Sequence, residues 1–228
     1  MNLLILMAIV WLSGRSSMAK YSSFDGHGVD VAVNRADDLD KQALTYIAEH
    51  PGCRMLDLGS GAGGQSKRMV DAGAQVVALD QFDFTAQFAV MESKQVQFIL
   101  GDMAEVATLL EGQMFQAVVC QRTIHYVPYA AALQLLRNLR TLVTDKLFIS
   151  VTGVGSLVGD VYPAAATPLP ERFAPLSELG QEMFSITEPV CLYSEAEFRQ
   201  LLCEAGWQVD ECWVSAFGNI KAVCSTTT

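Results

Sequence analysis

From residue 37 onward, short apolar runs alternate with amphipathic stretches. Met55-Leu-Asp-Leu58, Val76 to Asp80, Val96 to Leu100, Phe115 to Cys120 and Leu147 to Val151 read as buried strands, four to six residues long and bounded by Gly, Asp or Gln. Between them the period shifts to that of a helix, near residues 62 to 73, 83 to 92, 104 to 111 and 129 to 142. The last places Ala132, Leu135, Leu136, Leu139 and Val143 on one stripe. An earlier helix, Asp37 to Glu49, ends at His50-Pro51-Gly52, where Pro forbids continuation. Ser194 and Glu197 have the spacing of a capping box ahead of Phe198, Leu201 and Leu202, and Gly206 closes that helix. Trp207 to Ser215 and Ile220 to Cys224, separated by Gly218-Asn219, read as a terminal hairpin. Strand and helix alternating in this way predict an α/β fold with an open, mostly parallel sheet.

The strand ends carry the candidate chemistry. Residues 55 to 64, Met-Leu-Asp-Leu-Gly-Ser-Gly-Ala-Gly-Gly, run a strand into a glycine turn that a nucleotide can approach closely because no Cβ intervenes. Gly59, Gly61 and Gly64 also fit the dinucleotide spacing, and Asp80 stands where a ribose-binding acid belongs, so glycines alone do not separate a nicotinamide cofactor from S-adenosylmethionine. Asp57 does: a carboxylate beneath the turn repels a pyrophosphate and attracts an ammonium. The third strand leads into Gly101-Asp102-Met103, an acid for an adenine amino group and a side chain for the ring face. The fourth leads into Gln121-Arg-Thr-Ile-His125-Tyr126. Glycines 59, 61 and 63 can also serve only to shape a tight turn, and Asp102 can cap the helix after it.

Leu-Asp-Leu-Gly-Ser-Gly-Ala-Gly at 56 to 63, Val-Val-Ala-Leu-Asp at 76 to 80, Gly-Asp-Met at 101 to 103 and Phe-Gln-Ala-Val-Val-Cys at 115 to 120 fall in the order of the motifs of class I S-adenosylmethionine-dependent methyltransferases of the small-molecule type, which residues 50 to 224 resemble. The resemblance implies a Rossmann-like, doubly wound, mostly parallel seven-stranded sheet with an antiparallel C-terminal hairpin strand. It implies that Asp57, Gly59, Gly61 and Gly63 pass the cofactor's amino-acid part, that Asp80 holds both ribose hydroxyls with Gln81 beside it, that Asp102 and Met103 meet adenine, and that Gln121 lies near the methionine moiety. Arg35 is a candidate partner of the cofactor carboxylate, or a solvated Arg before a helix. His125, with Tyr126 next to it, is the best-placed base, although a His after this strand also packs at a helix start; His27 and Glu188 are weaker candidates.

Composition agrees. A chain of 228 residues, 51% hydrophobic and 18% charged, forms one domain, residues 18 to 228. Its net charge of −10 and lack of a basic run argue against nucleic acid as substrate. Six cysteines without a C-x-x-C pair read as reduced thiols rather than disulfides or a metal site. Leu3 to Leu12 is wholly apolar, yet shorter than the ~20 residues a membrane span needs. Residues 1 to 17 read as an N-terminal extension upstream of a start at Met18, with a signal-like or anchoring role as the alternatives, and the expected place is the cytoplasm, where S-adenosylmethionine is made, as a monomer or homodimer without stable membrane insertion. Residues 18 to 50 supply an N-terminal lid. Residues 152 to 193, with five of the seven prolines, supply a substrate cover whose candidate walls are Tyr162, Phe173, Phe184 and Tyr193.

The absence of an Asn-or-Asp-Pro-Pro-aromatic motif, of a Pro-Cys nucleophile, and of an acid at Gln121 leaves metal-independent transfer to O, N, S or C of a small neutral or cationic, aromatic or apolar metabolite. A non-catalytic S-adenosylmethionine-binding regulator and, less favoured, a nicotinamide-dependent reductase are the rivals.

Overall fold

The computed structural model describes residues 26–28, 36–91 and 93–226. Seven strands form one sheet: β1 (Arg54–Leu58), β2 (Gln75–Asp80), β3 (Val96–Leu100), β4 (Phe115–Gln121), β5 (Val143–Thr152), β6 (Trp207–Val214) and β7 (Asn219–Thr226). Their order is β3-β2-β1-β4-β5-β7-β6, with the first five parallel and β7 antiparallel to both β5 and β6. The α-helices among the described residues are α1 (Asp38–Glu49), α2 (Gly64–Asp71), α3 (Thr85–Ala89), α4 (Val106–Leu109), α5 (Tyr129–Leu142), α6 (Glu178–Phe184) and α7 (Glu195–Glu204).

The period of two in each strand decides which face a side chain joins. Leu56, Leu58, Val118, Cys120, Leu147 and Ile149 point to a core shared with Leu135, Leu136 and Leu139 of α5 and Phe198 and Leu201 of α7. Their neighbours Met55, Ala117, Val119 and Phe148 point the other way, onto Leu39, Ala43, Tyr46 and Ile47 of α1 and Met69 of α2. A strand covered on both faces must be apolar almost throughout, which is why these runs were conspicuous. Because the chain winds outward from β1 through β2 to β3 and then returns to β4, the ends of β1 and β4 diverge at a topological switch point.

Four elements differ from expectation. β5 starts at Val143 because α5 passes straight into the strand: Val143 is already extended, at φ −113 and ψ 133. The predicted helix at 83 to 92 is shorter, Thr85–Ala89. That at 104 to 111 is a 3-10 turn, Met103–Glu105, followed by a single α-turn. Residues 152 to 193, read as a long irregular cover, include α6, two 3-10 turns and a small core of Tyr162, Leu176, Ile186, Val190 and Leu192. Arg172 ties this segment to α7, donating to Glu197 through Nη1 at 2.7 Å and Nη2 at 2.8 Å. Residues 1 to 17, Met18 and most of the expected lid lie outside the described residues. Among the described residues, no helix is long and apolar enough to cross a membrane.

Candidate active site

The glycine turn leaves β1 at Leu58 and is held in place by its neighbours. Gly59 sits at φ 72, and its N–H donates to the Leu79 carbonyl at 2.8 Å. A Cβ here would lie 2.2 Å from Thr123 Oγ1, so the turn from β1 and the turn from β4 are in contact and only glycine fits. Gly63, at φ 82, stands at the start of α2. Asp57 is buried and accepts a hydrogen bond from Ser66 Oγ at 2.5 Å. Asp80, at the end of β2, accepts from Gly61 N–H at 2.8 Å through Oδ2 and from Phe82 N–H at 3.0 Å through Oδ1. The acid is thereby fixed across the mouth of the turn.

The other sequence-predicted residues fall on the same edge. Asp102, exposed, accepts from Ala104 N–H at 2.8 Å and caps the 3-10 turn, while Met103 is half-buried against the main core. Gln81 Nε2 lies 3.2 Å from His27 Nε2. Gln121 ends β4, and its Nε2 donates to Asp40 Oδ1 of α1. Asp40 also accepts from Asp37 N–H at 2.7 Å, closing the helix cap, and lies 3.8 Å from Arg68 Nη2. Burial raises the pKa of the Asp40 carboxyl despite these contacts. Arg68 in turn donates through Nε to Gln65 Oε1 at 3.0 Å. Ser60 Oγ and Gln65 Nε2 are buried polar atoms without a hydrogen-bond partner. Unpartnered polar groups of this kind, beside the glycine turn and two carboxylates, suit a polar ligand.

His125 and Tyr126 lie in the 3-10 turn Ile124–Tyr126 beyond β4. His125 is buried, and burial first, then the positive charges of Arg122 and His27, push its pKa down to about 3. The ring is therefore neutral at pH 7, and its carbonyl accepts from Cys191 N–H at 2.8 Å. Burial raises the Tyr126 phenol, whose hydroxyl donates to the His27 carbonyl at 2.7 Å. The His27 ring rests 4.7 Å from that of Tyr126 and 5.1 Å from Phe82. Gly28 N–H donates to the Ser185 carbonyl and Thr187 N–H to the Gly26 carbonyl, both at 2.8 Å. A strap from the N-terminal segment thus meets the cover over the ends of β2 and β4. Arg122, which bends the chain out of β4 at φ 51, is a non-glycine residue in a left-handed conformation, with its N–H on the Ser150 carbonyl at 2.8 Å.

Of the expected walls, Tyr162 and Tyr193 do not face a cleft. Tyr162 is buried with its hydroxyl on the Val190 carbonyl at 2.7 Å, and Tyr193 is wholly buried. Phe184 and Phe173 are half-buried, packed on the cover's core and the main core respectively. Glu188 is exposed, and Arg35 lies outside the described residues. Sequence reasoning missed Asp40, Gln65 and Arg68. Asp40 carried a signal only as the fourth residue of a helix cap, and no local spacing links positions 40, 68 and 121. Among the described residues no group of three or more His, Cys, Asp and Glu is arranged to hold a metal ion.

Comparison with known proteins finds similarity to methyltransferases. Residues 55–146 match the family model described as a methyltransferase domain. A 97-residue stretch is 34% identical to the ubiquinone biosynthesis O-methyltransferase of Xanthomonas campestris pv. campestris, covering 40% of this chain and 40% of that protein. Magnesium protoporphyrin IX methyltransferase from Synechocystis PCC 6803, solved with bound S-adenosylhomocysteine, superposes with a TM-score of 0.59 at 18% identity, covering 82% of each chain. The 1,6-didemethyltoxoflavin-N1-methyltransferase of Burkholderia thailandensis superposes at 0.62, also 18% identical, over 87% of this chain and 82% of its own.

Proposed function

Because residues 55–146 form a methyltransferase domain set in the class I S-adenosylmethionine-dependent methyltransferase fold, we propose that this chain transfers a methyl group from S-adenosylmethionine to a small molecule. The observation that carries the reading is the Asp80 carboxylate, at the end of β2, bound to the Gly61 N–H of the glycine turn. It offers acceptors to a pair of ribose hydroxyls directly beside the turn, and the buried Asp57 beneath makes that turn hostile to a pyrophosphate.

The cofactor supplies a methyl group on a sulfonium, already electrophilic enough for in-line displacement. The residues do the rest. Asp80 and Gln81 hold the ribose, Asp102 and Met103 meet the adenine, and Gly59, Gly61, Gly63, Asp57 and Gln121 surround the amino-acid end, where Arg35 is a further candidate. Catalysis would be chiefly positioning and exclusion of water by these residues. Tyr126 holds the His27 strap against the strand ends. His125 supports that turn in its neutral form; with a pKa of about 3 it is too weak a base to take a proton at pH 7.

The acceptor is an O, N, S or C atom of a small neutral or cationic, aromatic or apolar metabolite, and the reaction needs no metal. The activities of the similar proteins, an O-methyltransferase and an N1-methyltransferase, make aromatic hydroxyls and ring nitrogens the first acceptors to try. The test is formation of S-adenosylhomocysteine with methyl-labelled cofactor across a panel of phenols, hydroxyquinones and nitrogen heterocycles, with Asp80→Ala as control. Product above the control supports the reading. Tight binding of S-adenosylhomocysteine with no turnover on any acceptor favours a non-catalytic regulator instead.

A further inference from the structure

Two glutamines beside the glycine turn have opposite amide orientations. A carboxylate only accepts hydrogen bonds, so the contact of Gln121 with Asp40 Oδ1 commits the Gln121 NH2 group to α1 and turns its carbonyl oxygen away. An arginine only donates, so the contact of Arg68 Nε with Gln65 Oε1, at 3.0 Å, commits the Gln65 carbonyl and leaves its buried NH2 group without a partner. Asp40 and Arg68 are themselves paired at 3.8 Å, so the four residues form one chain: amide, carboxylate, guanidinium, amide. One end presents an acceptor at the end of β4; the other presents donors in the first turn of α2.

We propose that the Asp40–Arg68 ion pair is an orientation lock that sets Gln121 and Gln65 to receive, respectively, the ammonium and the carboxylate of the cofactor's amino-acid end. This rests on the S-adenosylmethionine reading. Asp40 and Arg68 are positioning residues, since they act through the two amides. The lock is anchored by the antiparallel strands: Lys221 of β7, buried, donates to Asp37 at 2.5 Å and to Asp38, and Trp213 Nε1 of β6 donates to Asp38 at 2.9 Å. The start of α1, and Asp40 with it, is thereby fixed against the sheet.

The test compares S-adenosylhomocysteine with 5′-methylthioadenosine, which keeps the nucleoside and sulfur but lacks the amino-acid end, by calorimetry on the full chain. Asp40→Ala is expected to weaken S-adenosylhomocysteine at least about tenfold, the scale of losing charge-assisted hydrogen bonds, and to leave 5′-methylthioadenosine within about twofold. Asp40→Asn removes the charge that pairs with Arg68 and can donate as well as accept, so it should weaken S-adenosylhomocysteine in the same direction as Asp40→Ala and leave 5′-methylthioadenosine within about twofold. Gln65→Leu, outside the helix cap, should give the same split between ligands as Asp40→Ala, and it decides the matter if Asp40→Ala does not fold. Equal weakening of both ligands, or of neither, overturns the lock; so does a wild-type chain that binds both ligands equally well. A wild-type chain that binds neither removes the cofactor reading itself.

Discussion

Gly59 and His125 show how the site constrains single residues. Gly59→Ala places a methyl group against Thr123 in a left-handed backbone, so it should cost about 1–3 kcal/mol of stability and disturb the turn on which cofactor binding depends. Urea unfolding together with a binding titration measures both effects. His125 has a folded pKa near 3, below its ordinary value of 6.5. A group whose folded pKa is depressed stabilises the fold above its unfolded pKa and loses that contribution as pH falls. Stability should therefore decline from pH 6.5 toward 3 in the wild type, and part of that slope should vanish in His125→Phe. The methyl-transfer rate should show no titration of His125 between pH 6 and 8. A rate profile with a pKa near 6.5 that disappears in His125→Gln would mean that this ring takes the proton after all.

At the scale of elements, Arg172 and Glu197 join the cover to α7. Glu197 caps α7 by accepting from Ser194 N–H at 2.8 Å and pairs twice with Arg172, and the Arg172 guanidinium holds its carboxyl down at about 2. This depressed pKa contributes stability above about pH 4.5, lost as pH falls toward 2. Glu197→Gln should cost about 1–3 kcal/mol, because Arg172 is left partly unsatisfied in a buried place. It should also speed proteolysis within residues 152 to 193 more than elsewhere in the chain, as limited digestion would show. The capping box that contains Glu197 was legible in the sequence, as were the five parallel strands, since both are local patterns. The Arg172 contact was not, because it joins positions 25 apart in a proline-rich stretch without period. For the same reason Tyr162 and Tyr193 read as pocket walls: aromatic residues in an irregular segment give no sign of which way they face, and here Tyr162 is buried in the cover's core and Tyr193 in the main core.

For the molecule as a whole, the placement of the acids separates what a sequence shows from what folding adds. Asp57 and Asp80 could be found because strand ends are marked by the apolar run before them, and parallel pairing of β1 with β2 sets Asp57 level with Ala78 and brings Asp80 to the turn. Asp40 could not, because its importance arises only when α1 lies across the end of β4. The fold thus gathers residues from α1, α2 and the ends of β1, β2 and β4 at one switch point, and the central claim is that this point holds S-adenosylmethionine. The most direct test is a calorimetric titration of the full chain with S-adenosylhomocysteine and, separately, with NADH, beside Asp80→Ala. Binding of S-adenosylhomocysteine at micromolar concentration, abolished in Asp80→Ala and absent for NADH, is the predicted result. Binding of NADH alone would contradict the assignment of the whole site.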